Sequence, residues 1–398
     1  MIGFIPAILS ILLGILVGTF TGLIPGLHIN LISIFAITYF TSINPIYLAI
    51  FIFAMSITHT FLNAIPSILL GAPESDMALA TLPGHRLLLK GYGYDAIRYT
   101  ILGSFLGLLL TIGVMPLLLI AIKHIYSFAL PFIGFILIFI SVFIILKSQR
   151  RLKAIFIFIA SGLLGFITLS TPKINQPLFP MLSGLFGCSL LTFSLFKKTR
   201  IPPQKKEYIP IKRVELVKAL FGAFSSSTMI TVFPAISPAI AAVISTQLIR
   251  KISQRAYLLM LGGINTIAMF SSVLFLYCLG KARNGAILAL SKIVFLDSRF
   301  LAILTITALI VSGFAVLIAI FSTNIAIKAI NKLNYSILNL SLLIFLFIAS
   351  FCISGPLGVL LLVISTSIGL LANIWQIQRT TAMGCLLLPT IAWYFSFF

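Results

Sequence analysis

The chain alternates long apolar runs with short polar breaks, and that alternation predicts its architecture. Apolar stretches cover residues 4–22, 31–40 and 46–62, then about 99–120, 128–146, 154–170 and 178–196. Most are close to the roughly 20 apolar residues that a helix needs to cross a bilayer. A polar stretch at 197–213 divides the chain, and the same order of elements then returns. It runs 215–232, a second piece to 249, 257–279, an interrupted region to 299, then about 300–322, 336–352, 357–372 and 381–397. The expected fold class is an all-α polytopic membrane protein with broken helices and re-entrant hairpins. Its expected parts are a first transmembrane repeat at 1–196, a basic cytoplasmic linker at 197–213 and a second transmembrane repeat at 214–398.

The breaks are specific. Gly22-Leu-Ile-Pro25-Gly26-Leu-His28-Ile-Asn30 interrupts the first run, and Phe233-Pro234-Ala-Ile-Ser237-Pro238 interrupts its counterpart. Proline in a helix interior removes a backbone donor and clashes with the preceding turn, so both helices are expected to unwind there. Between Asn63 and Arg86 the chain carries Pro66, Pro73 and Pro83, with Ser67 between the first two and Glu74 and Asp76 after Pro73. Three prolines cannot share one straight helix, and the pieces between them are too short to span. The expectation is a hairpin over 64–82 that dips into the membrane and returns. Such backbone is tolerated at membrane depth only where protein buries it or it lines a wet cavity.

Each half makes an odd number of net crossings, so the second is expected to be inverted relative to the first. Charge agrees. Most of the 27 Lys and Arg residues fall in the loops at 84–98, 147–153, 197–213, 250–255, 328–332 and at Arg379, all on one side in this topology. Basic loops stay cytoplasmic, which leaves residues 41–45 and both termini outside. Lys281, Arg283, Lys292 and Arg299 run against the rule, and either the boundaries differ there or these cations face a cavity. Inverted repeats with discontinuous helices at matching places are the sequence pointer to a secondary transporter with its site at the midplane.

Composition narrows the function classes. Of 398 residues, 60% are hydrophobic and 8% charged, too little polar surface for a soluble protein. The alternating polarity of an outer-membrane barrel is absent. The net charge of +21 is spread over loops between apolar spans, so nucleic acid is not an expected partner; the bilayer is. The start is apolar from residue 2 without a basic region, so no cleaved signal peptide is expected. Cys188, Cys278, Cys352 and Cys385 lie singly in apolar surroundings and are expected to pack rather than bind metal or pair.

Candidate chemistry lies at the breaks. A half-helix N-terminus points N–H groups and a partial positive charge inward, suited to a carboxylate, while free carbonyls at C-terminal ends suit Na⁺. Gly22, Pro25, Gly26, His28 and Asn30 would line one such end, and Pro234 and Ser237 the other; ordinary kinks packed on neighbours would need the same residues. Asn63 with Ser67, and Asn265 with Thr266, stand at corresponding places and could bind an anion's oxygens or bond between helices. Glu74 and Asp76 are expected to couple transport to Na⁺ or H⁺, unless they solvate the hairpin mouth or pair with Arg86. No other cofactor is expected. An enzyme would need clustered catalytic groups at one face, which the chain lacks, and an accessory subunit would lack paired broken helices.

At these residues a resemblance appears. Pro25-Gly26-Leu-His28-Ile-Asn30, Asn63-Ala-Ile-Pro66-Ser67-Ile-Leu-Leu-Gly71-Ala-Pro73-Glu74 and Leu82-Pro83-Gly84-His85-Arg86 resemble the TctA family. These are the large permease subunits of tripartite tricarboxylate transporters, and the likeness is to the archaeal, DUF112-like branch. Gly263-Ile-Asn265-Thr266, Ser354-Gly355-Pro356 and Arg379-Thr-Thr-Ala-Met383-Gly384 extend it over nearly the whole chain. The chain departs from the family where His28 replaces a glycine, where Pro234-Ala235 replaces a Pro-Gly, and at His59-Thr-Phe-Leu. The resemblance implies an ion-coupled permease for a small carboxylate-type anion. It also implies a small membrane subunit and an extracytoplasmic binding protein as partners.

Overall fold

The computed structural model describes residues 3–24, 29–69, 78–171, 174–196, 202–206, 209–233, 252–330 and 335–396, with a few positions between 238 and 249. Among them there is no β-strand. The helices of the first half are α1 (Phe4–Leu23), α2 (Ile29–Tyr39), α3 (Pro45–Leu62), α4 (Ala64–Leu69), α5 (Ala78–Leu88) and α6 (Gly93–Gly113). They continue as α7 (Met115–Ala129), α8 (Ile133–Leu146), α9 (Arg151–Leu169), α10 (Leu178–Leu182), a π-helical stretch Ser183–Cys188, and α11 (Ser189–Phe196). The second half holds α12 (Arg213–Val232), α13 (Gln254–Leu279), α14 (Gly285–Ile293), α15 (Ser298–Ile330), α16 (Tyr335–Ile374) and α17 (Gly384–Ser396). Eight described helices or helix pairs are long and apolar enough to cross a membrane.

Local sequence explains the ends. α3 starts where Asn44 accepts from the Ile46 amide and Pro45 takes the first helical position. α13 starts where Ser253 accepts from the Ala256 amide, and it stops at Gly280, whose φ of 66° is left-handed backbone that favours glycine. Gly355 breaks α16 into two limbs (φ 68°, ψ −165°) ahead of Pro356, in place of the predicted loop between 352 and 357.

Four boundaries differ from the sequence reading. The break expected between the runs 99–120 and 128–146 is absent: His124 lies inside α7, and the breaks fall at Val114 and at the 3₁₀ turn Leu130–Phe132. Residues 117–129 contain no Gly or Pro to stop a helix, whereas Pro116 and Pro131 do so on either side. The loop expected over 84–98 shrinks to 89–92, because α5 runs through Pro83 to Leu88 and α6 begins at Gly93. α15 continues to Ile330, through part of the loop expected at 328–332. The last run starts with a 3₁₀ turn, Arg379–Met383, before α17.

Two spans form the centre. The window in α3–α4 (Pro45–Leu69) and that in α13 are each 94% buried, against 22% for α1. Helices on the outside turn Phe4, Leu12, Leu16, Phe20, Phe156 and Leu317 outward, the apolar surface that lipid requires. Small residues let backbones approach. Gly14, Gly18 and Gly22 of α1 meet Ala54, Thr58 and Leu62 of α3 in that order, so the two helices run parallel. α12 runs parallel to α13 in the same way, with Gly222 against Met260 and Ser227 Oγ donating to Ile264 O. α6 crosses α13 at Gly103 and Gly262, while α15 packs on α3. Further out, Gly165 of α9 meets Cys385 of α17, and Gly369 in the second limb of α16 meets Leu185.

Candidate functional site

A polar layer crosses the buried centre. Asn265 lies 11 residues into α13, about 16 Å along an axis of roughly 39 Å at 1.5 Å per residue, so near its middle. Its Nδ2 donates to Asn63 Oδ1 at 3.2 Å and reaches Thr60 O at 3.4 Å. Thr266 Oγ1 and Thr60 Oγ1 share a hydrogen bond of 2.9 Å. Ser67 Oγ donates to Asn63 O at 2.7 Å, and His59 Nδ1 is 3.1 Å from Thr21 Oγ1. All these side chains are buried. Asn63 falls at the joint between α3 and α4, in right-handed backbone, and its side chain meets Asn265 of α13.

One helix break closes on this layer, and a second ends beside the start of α14. α1 ends at Leu23, with Gly22 pressed against Leu62 and the Asn63 amide, and α2 resumes at Ile29. Asn30 Oδ1 accepts from the Ala286 amide at 3.0 Å, capping α14 together with Asn284, which accepts from Ile287. Arg283 donates through Nη2 to Val232 O at 2.7 Å, the last residue of α12. The stretch 283–286 thus touches both breaks. It reaches this depth because the chain folds back after Gly280: the Arg283 amide bonds Ser272 Oγ and Asn284 Nδ2 reaches Met269 Sδ, both well inside α13. α14 therefore begins inside the bundle, with its N-terminus beside Asn30. The Arg283 guanidinium stacks on Phe275 at 4.3 Å and Tyr126 at 5.6 Å, and its Nε has no hydrogen-bond partner.

Helix α5 packs back on α4. Gly84 of α5 packs on Ile68 of α4, and His85 Nδ1 is 3.3 Å from Ile68 O. Burial, with a smaller push from the Arg379 charge, lowers the His85 pKa against the opposing effect of the Ile68 carbonyl. Pro25, Gly26, His28, Glu74, Asp76, Pro234 and Ser237 lie outside the described residues. Among described residues no three His, Cys, Asp or Glu side chains group as metal ligands. An open cleft by Lys123, Cys278 and Asp297 lies toward the Gly280 end of α13, away from the polar layer.

Several basic segments pack on one another. Gln204 accepts from the Gly93 amide and donates to Leu88 O, Tyr99 OH donates to Ile209 O, and Arg255 Nε pairs with Asp95 Oδ2 at 2.6 Å. Arg150 Nη1 donates to Trp375 O, and Lys153 sits over the Trp375 ring. Sequence reasoning missed Thr60, one hydroxyl among several in α3 beside Ser56 and Thr58, and the Asp95–Arg255 pair, whose partners are 160 residues apart. Arg283 stood out in the sequence only as a cation on the wrong side.

A multi-pass helical membrane protein with broken helices around a buried polar layer has the build of a permease. The chain belongs to the tripartite tricarboxylate transporter TctA family, whose model matches residues 8–384. It is similar to an uncharacterized protein of Methanocaldococcus jannaschii, 30% identical over 402 residues that cover 97% of this chain and 98% of that one. No solved structure matches it. The protein is therefore a multi-pass component of the plasma membrane, from a family of transporters and not of enzymes.

Proposed function

We propose that this permease is an ion-coupled secondary transporter of a small carboxylate-type anion, bound where the two helix breaks meet between two inverted halves. The observation that carries the reading is the Asn63–Asn265 bond, which joins the two enclosed spans at their polar level. Amides can turn to accept from or donate to a solute, and Thr60 and Thr266 add hydroxyls beside them. Arg283 supplies the positive charge that a carboxylate needs. Glu74 and Asp76 are the proposed coupling groups for Na⁺ or H⁺.

Matching packing supports inverted halves. α1 lies along α3 as α12 lies along α13, and α6 on α13 mirrors α15 on α3. By family analogy a small membrane subunit and an extracytoplasmic binding protein would deliver the solute. Uptake of radiolabelled citrate and smaller carboxylates into proteoliposomes, under imposed Na⁺ or H⁺ gradients, tests the reading. Gradient-driven accumulation that Arg283→Gln abolishes is expected. Accumulation indifferent to both gradients, or to that substitution, would overturn it.

A further inference from the structure

Arg379 is one of the most enclosed cations of the chain, only 7% exposed. It follows the end of α16, where the Ile377 amide bonds Ala372 O and the Gln376 amide bonds Asn373 O, with Gln376 in left-handed backbone at φ 55°. That double bond pattern stops the helix and turns the chain back inward. Its Nε donates to Asn373 Oδ1 at 3.3 Å, and Asn373 Nδ2 is itself held by Ser189 O, so one side of the guanidinium is fixed. The other side is not satisfied. Nη1 is buried with no acceptor, and the neighbouring Thr380 hydroxyl is buried with no partner either.

Nothing described neutralises this charge. Asp95 pairs with Arg255, Glu215 accepts from Ser253, and Asp297 accepts from the Phe300 amide. The near surroundings add positive charge: Arg150 donates to Trp375 O and Lys153 sits over the Trp375 ring, four residues from Arg379. Burial pushes the Arg379 pKa down to about 10, so it remains a cation at neutral pH. A buried charge with a free, pre-oriented donor is costly, and an anion relieves that cost.

We propose that Arg379 forms a second anion site, at the basic end of the bundle, that takes a single carboxylate group of a small organic anion. A guanidinium fork matches the two oxygens of a carboxylate, and one fork with one hydroxyl beside it balances one negative charge better than a phosphate dianion. The site is built on other elements than the polar layer, and rests on the transport reading only for the idea that its anion is the transported one.

Trp375 is four residues away and is one of two tryptophans in the chain, so Trp393→Phe leaves it as the reporter. The full-length protein in detergent would be titrated with acetate, citrate and inorganic phosphate at constant ionic strength. A saturable change in Trp375 emission is expected with acetate and citrate, and at least tenfold weaker with phosphate. Arg379→Gln should weaken it at least tenfold. Should that variant fail to fold, Arg379→Lys keeps the charge without the fork and should also bind at least tenfold more weakly. No saturable response, equal binding of phosphate, or unchanged affinity in the folded variant overturns the proposal. Binding without proteoliposome uptake would instead remove the transport reading and leave this site standing.

Discussion

Asn63 and Asn265, 202 residues apart in the chain, are joined side chain to side chain at 3.2 Å in the centre of the bundle. A buried amide left without its partner costs roughly 1–3 kcal/mol. Asn265→Leu is therefore expected to lower stability by about that amount and to abolish uptake. The double variant with Asn63→Leu should cost less than the two single changes together, by about 1 kcal/mol, because replacing both partners removes the orphan. Unfolding of purified variants in a denaturing detergent measures this, and strict additivity would show that the bond is not an energetic unit.

Glu74→Gln and Asp76→Asn address coupling. Both residues follow Pro73 in the sequence between apolar flanks, and ionisable groups in membrane segments are kept for function. Each variant is expected to insert and fold like wild type while losing accumulation under a Na⁺ or H⁺ gradient. Wild-type accumulation in both variants would place coupling elsewhere.

The pair at the basic end should behave asymmetrically. Asp95 is wholly buried while the Arg255 side chain is 22% exposed. Removing Arg255 strands a carboxylate away from water, so Arg255→Ala should destabilise by about 3–5 kcal/mol. Asp95→Asn leaves a cation that water can reach and should cost less. Melting temperatures of the two variants in detergent give the order, and the reverse order would mean that Arg255 is the more deeply held member.

Glycines at the α6–α13 crossing offer a packing test. A methyl at Gly103 or Gly262 would run into the carbonyls of Leu259 and Thr100, which belong to helix backbone and cannot move aside. Gly103→Ala or Gly262→Ala should lower stability by about 1–3 kcal/mol or more. Gly313→Ala, with nothing within 4 Å, is the neutral control. Size-exclusion profiles of tagged protein after heating separate the three.

Topology is open to labelling. In a cysteine-free background, a cysteine at Gln204 should react with an impermeant reagent only from the inside, because that loop packs on Leu88 and Gly93 among the basic loops. A cysteine at Ser42 should react from outside. Labelling of position 204 in intact cells would reverse the orientation of the whole bundle.

Much of this protein was written locally. Runs of about twenty apolar residues were enough to predict most of the helices, and the proline-bearing interruptions after Leu23 and Val232 fall where α1 and α12 end, because burial and ring sterics act on neighbouring residues. Helix ends at α7 and α5 were harder, since a packed helix runs on past a rise in polarity, as α7 does at His124, and even past a proline, as α5 does at Pro83. What the chain could not state by itself is which distant side chains meet. Asn63 finds Asn265, Asp95 finds Arg255, and Asn30 reaches the start of α14 only because small residues at Gly18, Gly22, Gly103 and Gly262 let backbones close to contact. That closeness is a property of the packed helices together. It turned residues that read singly as polar anomalies into one layer.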